Sequence, residues 1–291
     1  MTKLTRVMSA LLTGGALALV APTANAAWDL NMTQGVSDIS RRIYDLHMTI
    51  LWVCVAIGIF VFGWMIWSIV AFRKSKGAVP DTTLTHSTKV EVIWTVIPVL
   101  ILIGSAVPAA RTLIETENAT NTELTIVVTG YQWKWNYNYQ GTGVSFFSTL
   151  SRDSNETRQL GSDKDPYAVP DYLLNVDNPL VVPAGVKVRV LLTSQDVIHA
   201  WWVPAVAVKK DAIPGLTNVA WFKVDADKTG IYRGQCAELC GRDHGFMPVV
   251  IDVRSKADFD KWLAEKKAAA QSAAQPSTTT ASSAAPASPA G

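Results

Sequence analysis

The sequence predicts a two-helix transmembrane hairpin followed by an all-β domain. Three observations carry this. Two long apolar runs, residues 46–72 and 92–109, lie close together in the first third of the chain. From about residue 122 to 253 the chain breaks into short stretches rich in β-branched residues, separated by turn signals. Within that region one loop, Gly234 to Pro248, gathers two cysteines, a histidine and a methionine. Composition agrees: 49% of the residues are hydrophobic and only 17% are charged, little charge for a soluble protein of this size. The eleven tryptophans fit membrane interfaces or aromatic clusters. A net charge of +2 gives no reason to expect nucleic acid, and three cysteines do not make a disulfide framework.

Residues 1–26 read as a signal peptide. Lys3 and Arg6 precede a short apolar run, and Ala24-Asn25-Ala26 is a small-residue cleavage site. The alternative is a retained third anchor, which Gly14-Gly15 and the shortness of the run disfavour. The hairpin segment covers 27–111, beginning with a polar stretch to residue 45. Each of the two runs approaches or exceeds the ~20 residues that cross a hydrocarbon core. Cys54 within the first reads as a small apolar core residue. Pro98 and Pro108 in the second are tolerable where neighbouring helices satisfy the backbone. The connection carries Arg73, Lys74, Lys76 and Lys89 against Asp81 and Glu91. Basic loops stay cytoplasmic, so both outer ends of the hairpin face the export side.

Domain 112–267 contains the β region. Candidate strands are Leu124–Val128, Val186–Leu192, Trp221–Asp225, Ile231–Arg233 and Val249–Val253, with a turn at Pro183-Ala184-Gly185. Residues 140–170, rich in Ser, Asp and Gly, read as a surface excursion. Ser255, with Asp258 three residues on, opens a helix to Lys267 that would pack Phe259 and Trp262 against the β domain. Residues 268–291, mostly Ala, Ser, Thr and Pro, are expected to be disordered.

The loop carries the chemistry. Cys236, Cys240, His244 and Met247 offer thiolate, imidazole and thioether, and His199 is the best candidate for a further ligand from a distant strand. This set favours copper. A mononuclear blue-copper site uses one cysteine, two histidines and a weak methionine, so a second cysteine is surplus to it. Two copper ions bridged by both sulfurs would use the whole set, with one histidine terminating each ion. Met247 would be a weak ligand to one, and a backbone carbonyl near Glu238 would serve the other. Zinc is the rival metal, although the spacing is not CxxC and zinc sites do not use methionine. A Cys236–Cys240 disulfide is the remaining alternative.

With Ser194-Gln195-Asp196-Val197-Ile198-His199-Ala200-Trp201 upstream, this loop resembles subunit II of haem–copper cytochrome c oxidase and its copper A centre. Tyr131-Gln132-Trp133-Lys134-Trp135-Asn136-Tyr137 resembles the aromatic region of that family, and Val90–Pro98 the start of its second membrane helix. The similarity runs from about residue 37 to 263. Tyr131 and Lys134 depart from the family pattern, where histidine and tyrosine are common.

The resemblance implies a cupredoxin-like Greek-key fold and an aa3-type oxidase. It implies that Glu238 also reaches a magnesium ion shared with subunit I. Trp133 would receive electrons, and Glu91 would stand at the mouth of a proton pathway into subunit I. Implied partners are the haem-bearing subunit I, subunit III, cytochrome c and membrane lipid, with the copper domain in the periplasm of a bacterial inner membrane. Residues 112–264 hold 15 basic and 18 acidic residues. An acidic face would attract a basic cytochrome c, and Asp171, Asp177 and Asp196 are candidate docking acids. A quinol oxidase subunit lacking the copper ligands, a membrane-anchored copper carrier and a nitrous oxide reductase are the competing readings.

Overall fold

The computed structural model describes residues 31–79, 82, 83 and 85–274. The expected signal peptide, Asp81 and residues 275–291 of the expected tail lie outside them.

Two long helices come first, α1 (Asp38–Ala71) and α2 (Thr88–Glu117), both apolar and long enough to cross a membrane. At 1.5 Å per residue they measure roughly 51 and 45 Å, so each exceeds a hydrocarbon core of ~30 Å. Their midsections expose Trp52, Phe60, Trp64, Leu100 and Ile103, as helices bathed in lipid or covered by other subunits do. Cys54 is exposed there too, not buried as a core residue, because a two-helix hairpin has no interior to hide it in. Pro98 and Pro108 both lie inside α2.

α1 starts earlier than its apolar run. Ser37 and Ser40 form a reciprocal capping box at its N-terminus, with Ser37 Oγ accepting from Ser40 N at 3.1 Å. This polar first turn docks on the β domain. Ile39 and Ser40 are buried, Val36 N donates to Ala205 O at 2.9 Å, and Arg41 pairs with Asp225 at 2.6 Å. The far end of α2 is fastened as well. Glu117 pairs with Lys210 at 2.9 Å, and Lys187 Nζ donates to the carbonyls of Asn118 and Thr120 at 2.8 and 2.9 Å. Arg42 and Glu115 tie the helices to each other at 2.7 Å.

The β domain is a sandwich of two five-stranded sheets. The strands are β1 (Leu124–Tyr131), β2 (Lys134–Tyr139), β3 (Val144–Ser148), β4 (Leu180–Pro183), β5 (Val188–Ser194), β6 (His199–Val203), β7 (Val208–Ala212), β8 (Asn218–Phe222), β9 (Gly230–Cys236) and β10 (Pro248–Arg254). One sheet runs β3-β2-β1-β5-β8 and the other β4-β10-β9-β6-β7. β1 with β5, and β4 with β10, pair in parallel, while the other neighbours are antiparallel. Strict inward alternation along β5 buries Val188, Val190 and Leu192, and the same period along β2 buries Trp135, Tyr137 and Tyr139. They meet Leu180, Val182, Trp201, Val203, Val249 and Ile251 from the opposite sheet. This is a cupredoxin-like sandwich behind a membrane hairpin.

Three expectations need adjusting. The strand expected at 221–225 ends at Phe222, because Asp225 is diverted to the α1 docking contact and its N–H donates to Val36 O at 3.0 Å. Residues 140–170 are not mere excursion: they include β3 and a short helix, α3 (Arg152–Thr157). The final helix, α4 (Lys256–Ala274), runs past Lys267 into the alanines expected to be disordered, since alanine propagates a helix already nucleated. Ser255 does cap it, accepting from Asp258 N at 3.2 Å. Phe259 and Trp262 pack on Tyr139 with ring centroids 6.5 and 5.3 Å away.

Candidate metal centre

The centre is built where β6 begins and β9 ends. Trp201 of β6 stands opposite Cys236 of β9, which brings the first residue of β6, His199, beside the first cysteine. The chain then loops from Ala237 to Met247 and re-enters the sheet as β10, Pro248 facing Gln235. Two hydrogen bonds close the neck of this loop: Cys236 N donates to Met247 O at 3.3 Å and Ala237 N to Ala200 O at 2.9 Å. Its far side is a 3-10 turn, His244–Phe246.

The donors form a row. His199 Nδ1 is 3.9 Å from Cys236 Sγ, the two sulfurs are 3.8 Å apart, and His244 Nδ1 is 3.5 Å from Cys240 Sγ. Met247 Sδ lies 3.5 Å from Cys240 Sγ, and the Glu238 carbonyl oxygen 3.3 Å from Cys236 Sγ. Cys236, Cys240, Met247 and His199 are buried, His244 is half-buried, and the Glu238 residue is exposed. Both thiols are free, and 3.8 Å is far beyond a disulfide bond of about 2.05 Å.

Burial and hydrogen bonding act unequally on the two thiols. Burial pushes Cys236 up, but hydrogen bonding, His199 first, outweighs it and draws the thiol down to about 7. Burial and the neighbouring Cys236 push Cys240 up to about 12. Two thiolates this close would repel, and a cation between them would relieve that repulsion. His199, Cys236 and Cys240 bring ligand atoms within 4.8 Å of one another, the one such trio among the described residues. His244 faces Cys240 from the other end of the row.

His199 is oriented with care. Its Nε2 is 2.8 Å from Asp196 Oδ1, which leaves Nδ1 aimed at the sulfurs. Burial works against its charge, yet Cys236 and Asp196 hold its pKa above the ordinary histidine value. Asp196 accepts from Gln132 N at 2.6 Å and Val197 N at 2.7 Å. A carboxylate holding the second nitrogen of a ligating imidazole fixes its tautomer and direction. Trp135 meets the His199 ring edge-on, centroids 5.8 Å apart. On the other flank Gly130 leaves room: a Cβ there would lie 2.7 Å from His199 Cδ2.

Each of the expected docking acids has a partner within the chain. Asp196, its side chain 29% exposed, holds His199. Asp177 accepts from Thr149 N at 2.7 Å, and Asp171 pairs with Arg233 at 2.6 Å. Trp133 is at the centre: its Nε1 and Gln132 Nε2 both donate to the Cys240 carbonyl, at 3.2 and 2.9 Å. Glu91 is far off in sequence and fold, in the first turn of α2, with His86 Nδ1 at 2.9 Å. Sequence reading missed the parts played by Gly130, Gln132 and Asp196. The Asp-x-x-His spacing of Asp196 and His199 was the available signal for the last.

The model of the family described as cytochrome c oxidase subunit II, periplasmic domain, matches residues 124–254, and the one for its transmembrane domain matches 25–111. The "Probable cytochrome c oxidase subunit 2" of Rickettsia bellii is 40% identical over 240 residues, 82% of this chain and 84% of that protein. The chain belongs to the cytochrome c oxidase subunit II family. Cytochrome c oxidase subunit 2 of Arabidopsis thaliana is 34% identical over 248 residues, covering 82% of this subunit II and 90% of the plant protein. The crystal structure of the periplasmic domain of subunit II of cytochrome oxidase from Bradyrhizobium japonicum is 43% identical, covering 52% of this chain and 98% of that one, at a TM-score of 0.44. As a subunit II, this is a membrane protein that partners other subunits of a haem–copper oxidase. Its His/Cys/Cys cluster is compatible with a copper site.

Proposed function

We propose that this subunit II accepts electrons from cytochrome c at a dinuclear copper A centre. They pass to haem in subunit I, where oxygen is reduced to water with proton pumping. The observation that carries this is the row of donors His199, Cys236, Cys240 and His244, with consecutive spacings of 3.9, 3.8 and 3.5 Å. Its central pair of free thiols has one imidazole nitrogen at each outer side. Such a row suits two ions sharing both sulfurs better than one. The thioether of Met247 at the Cys240 end favours copper over zinc.

His199, Cys236, Cys240, His244, Met247 and the Glu238 carbonyl would hold the two coppers. A copper pair in such a frame supplies one-electron exchange with little rearrangement. The chain's own residues supply the rigidity: Asp196 and Trp135 fix the His199 ring, and Gln132 and Trp133 hold the Cys240 carbonyl. That last bond also supports Trp133 as the point where electrons arrive, since its indole joins the surface to the metal loop directly.

The finer assignments belong to the same reading. The exposed Glu238 side chain is free to reach a magnesium ion shared with subunit I. Glu91, at the loop-side end of α2, suits the mouth of a proton pathway into that subunit. Subunit III completes the assembly. The basic inter-helix loop supports a bacterial inner-membrane location with two spans and the copper domain in the periplasm. Residues 1–26 are the signal peptide, 27–111 the anchor segment, 112–267 the copper domain and 268–291 the tail, whose first residues, to Ala274, continue α4.

Electron paramagnetic resonance of the copper-loaded protein tests the core of this. One unpaired electron coupled to two equivalent copper nuclei is the expected signal. A single-copper spectrum, or zinc on metal analysis, would overturn it.

A further inference from the structure

The metal loop is gripped from outside by the segment between β3 and β4. That segment is anchored at its two ends: Leu150 bridges to Val176, Ser151 N donates to Asn175 O at 2.9 Å, and the fully buried Ser154 accepts from Leu173 N at 3.1 Å. Just after α3, Arg158 turns toward the loop. Its guanidinium carbon is 4.2 Å from the centre of the Phe246 ring, and Nη1 is 3.5 Å from Asp243 Oδ1. Nε donates to Asn155 Oδ1 at 2.9 Å, which sets the plane of the guanidinium. The contact is sheltered, with the Arg158 and Asp243 side chains 20% and 18% exposed.

Asp243 and Phe246 are the two ends of one turn. Phe246 N donates to Asp243 O at 2.9 Å, and His244 N to Gly241 O at 3.2 Å. Between them sits His244, and directly after Phe246 comes Met247. We propose that Arg158 is a positioning residue for the metal centre: it clamps the turn that presents His244 and Met247 and thereby sets how firmly copper is retained there. This rests on the reading of the loop as a dinuclear copper site. Arginine suits the task because its flat, permanently charged head can stack on a ring and reach a carboxylate together; lysine offers only a point charge.

The test uses the full-length, copper-loaded chain in detergent and follows copper loss to a Cu(I)-selective chelator under reducing conditions. A sheltered ring contact plus a partly exposed ion pair predicts roughly five- to thirtyfold faster copper loss in Arg158→Gln. Phe246→Leu should act the same way, and the double variant should be no faster than the faster single one, because both remove one shared clamp. The copper hyperfine pattern should change alongside. Should Arg158→Gln fold poorly, Arg158→Lys provides the milder probe, with release still faster than wild type. Wild-type retention in both single variants overturns the proposal. So does faster release matched by an equal loss of stability in the metal-free protein, which would mark Arg158 as merely structural. If wild-type protein fails to hold two coppers, the site assignment falls and takes this proposal with it, a result distinct from the others.

Discussion

Replacing Gly130 by alanine asks whether His199 is wedged as the geometry says. Gly130 lies in the middle of its sheet, opposite Trp135 on β2 and Ser194 on β5. A methyl group there would sit 2.7, 3.0 and 3.3 Å from Cδ2, Cγ and Cβ of His199. Carbon atoms pack comfortably at about 3.5–4.0 Å, so the ring has to retreat by at least ~0.8 Å. It has nowhere easy to go. Trp135 blocks it edge-on, and Nε2 is tied to Asp196 at 2.8 Å. A shift of that size takes the Asp196 bond past the ~3.2 Å limit of a good hydrogen bond and moves Nδ1 by more than the ~0.2 Å tolerance of a metal site. Overpacking of this kind costs about 1–3 kcal/mol. Urea unfolding of the metal-free variant should therefore show a lower midpoint with an unchanged slope. Copper titration should show weakened binding with an altered spectrum. An alanine variant with the wild-type midpoint and the wild-type copper spectrum would refute the reasoning, because the described cradle could not then exist.

Asp196→Asn keeps the size of the side chain but removes the charge that holds Nε2–H of His199, and copper affinity should fall about 10- to 100-fold, read by competition with a chelator. Burial raises the phenol pKa of Tyr137 and Tyr139 in the folded protein. Their stabilising effect is complete below the unfolded value of about 10 and declines above it, by about 1.4 kcal/mol per pH unit per tyrosine. Alkaline unfolding followed by circular dichroism should begin near that pH and be blunted in Tyr139→Phe. Glu91→Gln should slow proton uptake and turnover of the assembled oxidase while leaving the copper spectrum alone; unaltered turnover would remove Glu91 from the proton route. Reduction by a basic cytochrome c should slow as salt rises, and a stopped-flow rate flat in ionic strength would remove the acidic docking face.

Much of this molecule was legible in residue order. The two spans announced themselves because lipid demands unbroken apolarity, and β5 and β2 because a half-buried strand must alternate. The candidate ligands Cys236, Cys240, His244 and Met247 share one loop, so spacing alone grouped them. His199 needed the flanking match, since nothing local says which strand it will meet. What stayed hidden was whatever depends on approach between distant segments. Gly130 shows its purpose only when His199 is seen against it, 69 positions later in the chain. Asp196 looked like a surface acid until its partner nitrogen was located. The end of β8 moved because Asp225 is claimed by Arg41, 184 residues away. Residues 268–274 have the composition of a linker, but they follow a helix already anchored by Phe259 and Trp262 and simply continue it.

The fastening of α1 and α2 to the sandwich has a consequence for where the metal loop is held. Arg41 with Asp225 and Glu117 with Lys210 grip the domain at two separate helices, so it cannot pivot on a single stem. The loop that carries the two cysteines is thereby tied to both membrane helices at once, and its height over the bilayer follows from where those helices end rather than from the length of a linker.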